Sequence, residues 1–96
     1  MRLGRYGKAD ADRLDYDINY QKLGDLGEGE VIQNLMASVD GSDSALIVDA
    51  LQNTDTVGKV WLSGGTAGYT YTVNVVMTTN QGRIKENCFD IRVRPC

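Results

Sequence analysis

The chain has 96 residues, and its 10 Lys and Arg against 13 Asp and Glu give a formal net charge of −3 without any histidine. That length suits one small domain. The lack of histidine removes the commonest general base and metal ligand, which excludes Ser/His and Cys/His nucleophilic sites and histidine-bearing zinc sites. The acidic balance disfavours a nucleic-acid partner, which would require clustered bases. Composition therefore favours a binding or structural domain with no enzymatic activity, no cofactor and no metal.

The chain carries no targeting or membrane signal. It has no run of about 18 apolar residues, so neither a membrane span nor a membrane partner is expected. Its basic N-terminus is followed by acids, unlike a signal peptide, which predicts synthesis in the cytoplasm. Cys88 and Cys96 lie eight residues apart on one predicted strand, and an extended segment of that length spans about 26 Å, too far for a disulfide. Both are predicted to be free thiols, with Cys88 as a small core residue.

The first 13 residues differ in composition from the rest of the chain. Residues 1–13 carry four bases, two acids and two glycines with few apolar side chains. This composition predicts an extended N-terminal arm, which either frays or docks on a partner subunit. Residues 14–96 are expected to form the single folded domain. The candidate partner-binding residues come from the arm and the last predicted strand: Arg2, Arg5, Tyr6, Lys8, Arg92 and Arg94.

Side chains that alternate between apolar and polar predict strands along the rest of the chain. The first is 14–20. The segment 30–40 fits either a strand or a helix face, and the Asp40-Gly41 hairpin signal favours the strand. Further strands are predicted at 45–50, 57–62, 69–79 and 83–94. Short strands with frequent turn signals predict an all-β fold, an immunoglobulin-like antiparallel β-sandwich.

A glycine-rich turn, Ser-Gly-Gly-Thr-Ala-Gly at 63–68, precedes the strand at 69–79. A phosphate-binding P-loop requires Gly-Lys-Ser/Thr at the start of a helix, so no phosphate site is expected here. In immunoglobulin-like domains a tyrosine after such a corner bonds back to nearby backbone, and Tyr71 is the candidate. Trp61 is assigned to the core or to an interface rather than to a sugar-binding platform.

Closely spaced acids raise the question of a calcium or glycosidase site. The acids at 10–17 and at 40–43 do not match the spacing of an EF-hand loop. No apolar pocket that would raise one carboxyl pKa can be inferred from the sequence. These acids are expected to form a solvated strand face, and no catalytic residue is predicted.

Charge is distributed unevenly along the chain. Residues 15–55 hold nine acids and one base, or −8, whereas residues 83–94 hold four bases and two acids, or +2. Opposite charges on one chain predict that neighbouring copies complement one another in a ring built by heterologous contacts.

Three segments resemble a known family. They are Val-Trp-Leu-Ser-Gly-Gly-Thr-Ala-Gly-Tyr-Thr-Tyr-Thr-Val at 60–73, Thr-Thr-Asn-Gln-Gly-Arg at 78–83, and the acidic lead Ala-Asp-Ala-Asp-Arg-Leu-Asp-Tyr-Asp-Ile at 9–18. Together they resemble the fibre-to-tail adaptors, short immunoglobulin-like virion proteins of tailed phages. The resemblance implies a structural protein of the tail or neck region, where several copies attach tail fibres or spikes by protein contacts.

The chain departs from the family pattern at Tyr20 and Met36, where family members tend to carry tryptophan, and its acidic lead has alanines in place of a proline. These departures concern the identity of the partner more than the fold. Two other functions remain open from sequence: a decoration protein of the phage head, and a carbohydrate-binding module.

Overall fold

The computed structural model describes residues 2–95, which form seven β-strands and no helix within that range. In chain order the strands are β1 (Arg2–Ala9), β2 (Leu14–Asn19), β3 (Ile32–Asp40), β4 (Leu46–Asn53), β5 (Val57–Gly64), β6 (Thr70–Thr79) and β7 (Ile84–Arg94). They build two sheets, one in the order β1-β7-β6-β3 and one in the order β2-β5-β4. Every pairing is antiparallel except that of β1 with β7. The predicted all-β sandwich is confirmed, and the narrower immunoglobulin-like assignment stays a prediction.

The core lies between the sheets and is filled by alternate side chains of facing strands. Strand β6 alternates without interruption, with its odd-numbered side chains buried and its even-numbered ones half-buried. The fully buried large side chains include Tyr20, Tyr71, Phe89 and Leu62. Burial of each such apolar side chain stabilises the fold by about 1.5–3 kcal/mol.

The segment that fitted both a strand and a helix forms β3. Leu35 faces the core with 8% of its surface exposed, while its neighbour Met36 is 64% exposed. Successive side chains on opposite faces are the signature of a strand. The strand predicted at 30–40 is thus confirmed. It pairs with β6 and lies at one edge of its sheet.

The structure differs from the sequence prediction in the N-terminal segment, which was expected to be an arm outside the sandwich. Arg2–Ala9 instead form β1, which pairs in parallel with β7 and is in regular register from Arg5–Asp90 to Ala9–Arg94. An edge strand has only one neighbour, and charged side chains commonly protect its open side. Such a strand therefore lacks the apolar alternation by which the other strands were predicted.

Two further predictions are corrected by the alternation of the strands. Cys88, predicted in the core, is half-buried on the outer face of β7, because its neighbour Phe89 points inward. Trp61 is likewise half-buried on the outer face of β5, because Val60 and Leu62 point inward, so of its two predicted places, core or interface, only the interface remains, as a prediction. Cys96, the second predicted free thiol, lies outside the described residues.

The glycine-rich turn is shaped by close backbone contacts. Gly64 has a φ of 76°, and a Cβ there would collide with the carbonyl oxygen of Ala45. Gly65 has a φ of 97°, and a Cβ there would lie 2.7 Å from Cγ2 of Val93. Both positions need a residue without a side chain. The two glycines therefore serve the packing of the turn.

The tyrosine after this turn makes the bond predicted from sequence. The Tyr71 hydroxyl accepts a hydrogen bond from the Thr66 backbone N–H at 2.9 Å. It also donates to Oδ1 of Asp43 at 2.6 Å, a contact that the sequence did not predict. Tyr71 thereby joins the turn before β6 to the connection between β3 and β4.

Candidate partner-binding surface

Four of the six predicted partner-binding residues lie together on the outer face of β1 and β7. Strand register places Arg5 beside Asp90, Gly7 beside Arg92 and Ala9 beside Arg94. We call Arg2, Arg5, Arg92 and Arg94 the basic edge. All four are exposed. An open depression of about 390 Å³ lies here, lined by Arg5, Tyr6, Gly7, Thr70, Arg92 and Arg94.

One acid lies within the basic edge. The Asp90 carboxylate forms an ion pair with Arg2 and accepts a hydrogen bond from the Thr72 hydroxyl at 2.9 Å. The Thr72 hydrogen bond, followed by the Arg2 contact, holds the pKa of Asp90 below its usual range. Arg92 donates to the Thr70 hydroxyl at 3.2 Å, a neutral acceptor. The basic edge therefore keeps a net positive charge.

Tyr6 lies on the opposite face of β1 and packs against the core. Its ring centroid is 5.8 Å from that of Phe89, edge to face, and 5.7 Å from that of Tyr16. Each such ring pair contributes about 0.5–1.5 kcal/mol beyond area burial. Tyr6 still exposes 42% of its surface. It thus anchors β1 and lines the depression at the same time.

Lys8 was also predicted to bind a partner, but its side chain is buried in the fold. Only 3% of it is exposed. Its Nζ donates to the carbonyl oxygens of Ala9 and Gly64 at 2.7 Å each, and to that of Asp10 at 3.4 Å. Burial lowers the pKa of Lys8, and the nearby carboxylates of Asp12 and Asp10 oppose that shift. Lys8 therefore ties β1 to the end of β5 and has no free charge for a partner.

On the outer face of the second sheet, local bases neutralise part of the acidic block. Lys59 contacts Asp15 at 2.9 Å and Asp17 at 3.7 Å. The hydrogen bond with Lys59 lowers the pKa of Asp15, and the same bond raises that of Lys59. Arg13 contacts Asp49 at 2.9 Å, and its guanidinium carbon lies 4.5 Å from the ring centroid of Trp61. This face is more nearly neutral than the composition of the block suggests.

Another acid of the block is internal. Glu30 is 4% exposed and accepts hydrogen bonds from the Gly27 N–H at 2.8 Å and the Thr79 hydroxyl at 2.7 Å. Arg83 contacts its carboxylate at 3.1 Å. The Gly27 bond, then the Thr79 bond, lowers the pKa of Glu30. Glu30 fixes the β2–β3 connection to the β6–β7 turn and is unavailable to a partner.

Asp40 was not among the partner-binding residues predicted from the sequence. Asp40 is exposed at the last residue of β3, the edge opposite β1 in the same sheet, and accepts a hydrogen bond from Asn74 at 2.9 Å. Three strand pairings place it in a single row across the sheet: Arg5 beside Asp90, Asp90 beside Thr72, and Thr72 beside Asp40. The row therefore begins with a base and ends with an acid. Only the register of three pairings could have shown this arrangement.

An exposed apolar pair lies on the same outer face, toward the other end of the strands. Met36 is 64% exposed and sits opposite Val76, and Ile84 is 70% exposed and sits opposite Thr78. The two side chains lie on β3 and β7 with β6 between them, so they are separate exposed apolar positions.

Within residues 2–95 no group of three or more metal-ligating side chains is found, and no helix is long and apolar enough to cross a membrane. The described residues form a small β-sandwich that exposes charged side chains on the outer faces of both sheets. Residues 8–92 match the family model of the podophage GP4 fiber-tail adaptor protein gp77, and the chain belongs to this family. It is therefore a structural protein of the phage tail, as the resemblance in sequence implied. Comparison with curated proteins finds no match.

Proposed function

We propose that this protein attaches tail fibres or spikes to the tail or neck of a podophage virion by protein–protein contacts, without catalysis. The observation that carries the proposal is the basic edge, where Arg5, Arg92 and Arg94 line one open depression in a chain of the fibre-to-tail adaptor family. Guanidinium groups bind carboxylates in fixed, often bidentate geometry. The partner surface proposed for this edge is acidic and belongs to a tail or neck subunit or to the fibre.

The N-terminal segment contributes to this function as part of the sheet. Arg2 and Arg5 are held beside β7 by the backbone ladder, and Tyr6 and Lys8 anchor the strand from its inner face. Charges fixed in this way lose less conformational entropy on binding than charges on a free arm would. Several copies of the chain around the tail, formed after synthesis in the host cytoplasm, complete the proposed assembly.

Arg94→Glu tests the role of the basic edge in assembled particles. Arg94 is exposed at the end of β7, so the reversal is expected to leave folding unchanged and to lower the number of fibres per particle in electron micrographs. Lys22→Glu makes the same change of charge on an exposed loop residue and is expected to retain normal fibre content. Equal fibre content in both variants would contradict a role for the basic edge.

The position of the chain in the particle tests the function itself. Cryo-electron microscopy of purified virions should show its density around the tail, in contact with the bases of the fibres. Density spread over the capsid lattice would instead make it a decoration protein. Absence from the virion would contradict both functions.

A further inference from the structure

Arg5 and Asp40 occupy opposite ends of one row of side chains, at the two open edges of the four-stranded sheet. Each is exposed, and neither makes an ion pair within the described part of the chain. The sheet thus carries a base on one edge and an acid on the other, at the same height along the strands.

From this arrangement we propose that β1 of one copy pairs with β3 of the next copy, so that the four-stranded sheet continues from copy to copy. The partner of each edge is a second copy of this chain. The inference rests on the proposed assembly of several copies and specifies which surfaces meet.

Strand direction makes this pairing parallel. Strand β1 runs parallel to β7, β7 runs antiparallel to β6, and β6 runs antiparallel to β3, so β1 and β3 point the same way. Two copies in the same orientation then place β1 beside β3 in parallel. If the rows stay aligned, Arg5 of one copy lies beside Asp40 of the next.

The backbone of both edges can accept the pairing. Each strand is terminal in its sheet, so its outer N–H and C=O groups have no strand partner within the described residues. With Arg5 beside Asp40 in parallel, the overlap covers four residues of each strand, 2–5 of β1 and 37–40 of β3, and β1 has a register shift against β7 within that stretch. Strand β3 keeps a regular register with β6 from Asn34 to Asp40, which leaves a straight edge for a further strand.

Charge favours this head-to-tail contact over a two-fold contact through β1. The exposed charged residues of β1 are Arg2, which is paired with Asp90, and Arg5, both bases, whereas Asp40 is the charged residue of β3. Two β1 edges related by a two-fold axis would bring bases against bases, which costs free energy. A β1–β3 contact pairs opposite charges and leaves one open edge at each end, from which a ring or a chain of copies can grow.

Sedimentation of the full chain in low-salt buffer tests the pairing. The wild-type protein is expected to self-associate, and salt should weaken the association. Arg5→Asp and Asp40→Arg should each lower the association constant by at least about tenfold, because each puts like charges at the contact. An equimolar mixture of the two variants, and the double variant Arg5→Asp with Asp40→Arg, should restore it, since both recreate opposite charges.

Matched controls separate this contact from a general effect of charge. Lys22→Asp and Glu28→Arg make the same changes of charge on an exposed loop and should associate as the wild type does. A variant that merely fails to fold would not be rescued by the second reversal. Loss of association in one single variant without rescue in the double variant would indicate a two-fold contact through one edge and overturn the proposal.

A wild-type chain that stays monomeric at millimolar concentration in low salt would also overturn it. That result would not bear on fibre attachment, which the number of fibres per particle in Arg94→Glu tests separately. Conversely, intact self-association with unchanged fibre content in Arg94→Glu would contradict the basic edge as a fibre contact while retaining the pairing between copies.

Discussion

The hydroxyl of Tyr71 donates a hydrogen bond to the carboxylate of Asp43 at 2.6 Å while it accepts one from the backbone of Thr66. Asp43 also accepts from the Thr66 hydroxyl at 2.6 Å and from the Ala45 N–H at 3.1 Å. A single carboxylate thus holds together the β3–β4 connection, the glycine-rich turn and the start of β6. This closed end of the sandwich fixes the position of Asp40, the acid proposed to contact the next copy.

We expect Tyr71→Phe to lower the free energy of unfolding by about 1 kcal/mol, because it leaves the half-buried Thr66 N–H and the Asp43 carboxylate each short of one partner. The measurement is urea denaturation followed by tryptophan fluorescence, since Trp61 is the single tryptophan of the chain. Tyr69→Phe is the control, because Tyr69 is 41% exposed and its hydroxyl is solvated. An equal loss in both variants would contradict the role assigned to the hydrogen bonds of Tyr71.

Tyr20→Phe is expected to have the opposite effect. Tyr20 is fully buried, and its hydroxyl lies close enough to the buried amide of Asn87 to lower the Tyr20 pKa, but the two groups do not form a hydrogen bond of normal geometry. Removal of an unsatisfied buried hydroxyl should leave the free energy of unfolding unchanged or raise it by about 1 kcal/mol. A loss as large as that of Tyr71→Phe would show that the hydroxyl has a partner in solution, such as an ordered water.

The same residue gives the stability an alkaline limit. Burial raises the pKa of Tyr20 from its usual 10.0 to about 12; the Asn87 side chain opposes this shift, and the charge of Asp25 adds a smaller increase. Because the unfolded chain releases this proton more readily, the contribution of neutral Tyr20 is complete below pH 10.0 and is lost as the pH rises toward 12. Between pH 10 and 12, the free energy of unfolding of Tyr20→Phe should therefore fall less steeply with pH than that of the wild type. Equilibrium denaturation at a series of pH values measures this difference.

At low pH, Asp43 is one of the carboxylates whose protonation reduces stability. Hydrogen bonds from Thr66, Tyr71 and Ala45, in that order, hold its pKa below the usual 3.8. A carboxyl whose folded pKa is depressed contributes stability that is complete well above the unfolded pKa and is lost as the pH falls through the folded one. Asp43→Asn should reduce stability at neutral pH and flatten its dependence on pH below about 5. Glu28→Gln, on an exposed loop, provides the control for removal of one carboxylate.

Lys8→Met tests how β1 is attached. Methionine keeps the aliphatic part of the side chain but leaves the carbonyls of Gly64 and Ala9 without the Lys8 Nζ donor, at an expected cost of about 1–3 kcal/mol. Hydrogen exchange should show that the amides of β1 lose protection before those of β6. Arg5→Met, on the exposed face of the same strand, should leave that protection unchanged. Unaltered exchange in Lys8→Met would mean that the backbone ladder alone holds β1.

Features that depend on residues close together in the chain were predictable from the sequence, whereas those that depend on distant residues were not. The strand at 69–79 and the bond of Tyr71 were predictable because alternation and a glycine turn are local signals. The pairing of β1 with β7 joins residues more than 80 positions apart, and no local pattern encodes a parallel neighbour at that separation. Cys88 was misplaced because the usual burial of cysteine was given more weight than the alternation with Phe89.

The candidate partner-binding residues were chosen from the sequence largely by their charge, and their binding role stays a prediction. Four bases of the prediction lie on one exposed surface, because charged side chains favour solvent wherever the strand permits it. Lys8 has the same charge but falls on the inner face of β1 beside Val93. The face on which a residue lies depends on register, and a shift of one residue would exchange Lys8 for its exposed neighbour.

The last prediction compares Gly64, in the glycine-rich turn, with Gly82, in the turn between β6 and β7. Gly64→Ala introduces a Cβ that collides with the carbonyl of Ala45, and it does so at a φ of 76°. Gly82→Ala has a similar φ of 85° in open space, so it measures the backbone strain alone. We expect both variants to be destabilised, and Gly64→Ala by at least about 1 kcal/mol more, because the collision adds to the strain. Equal thermal destabilisation of the two variants would mean that only the backbone conformation, and not the close approach to Ala45, requires glycine at position 64.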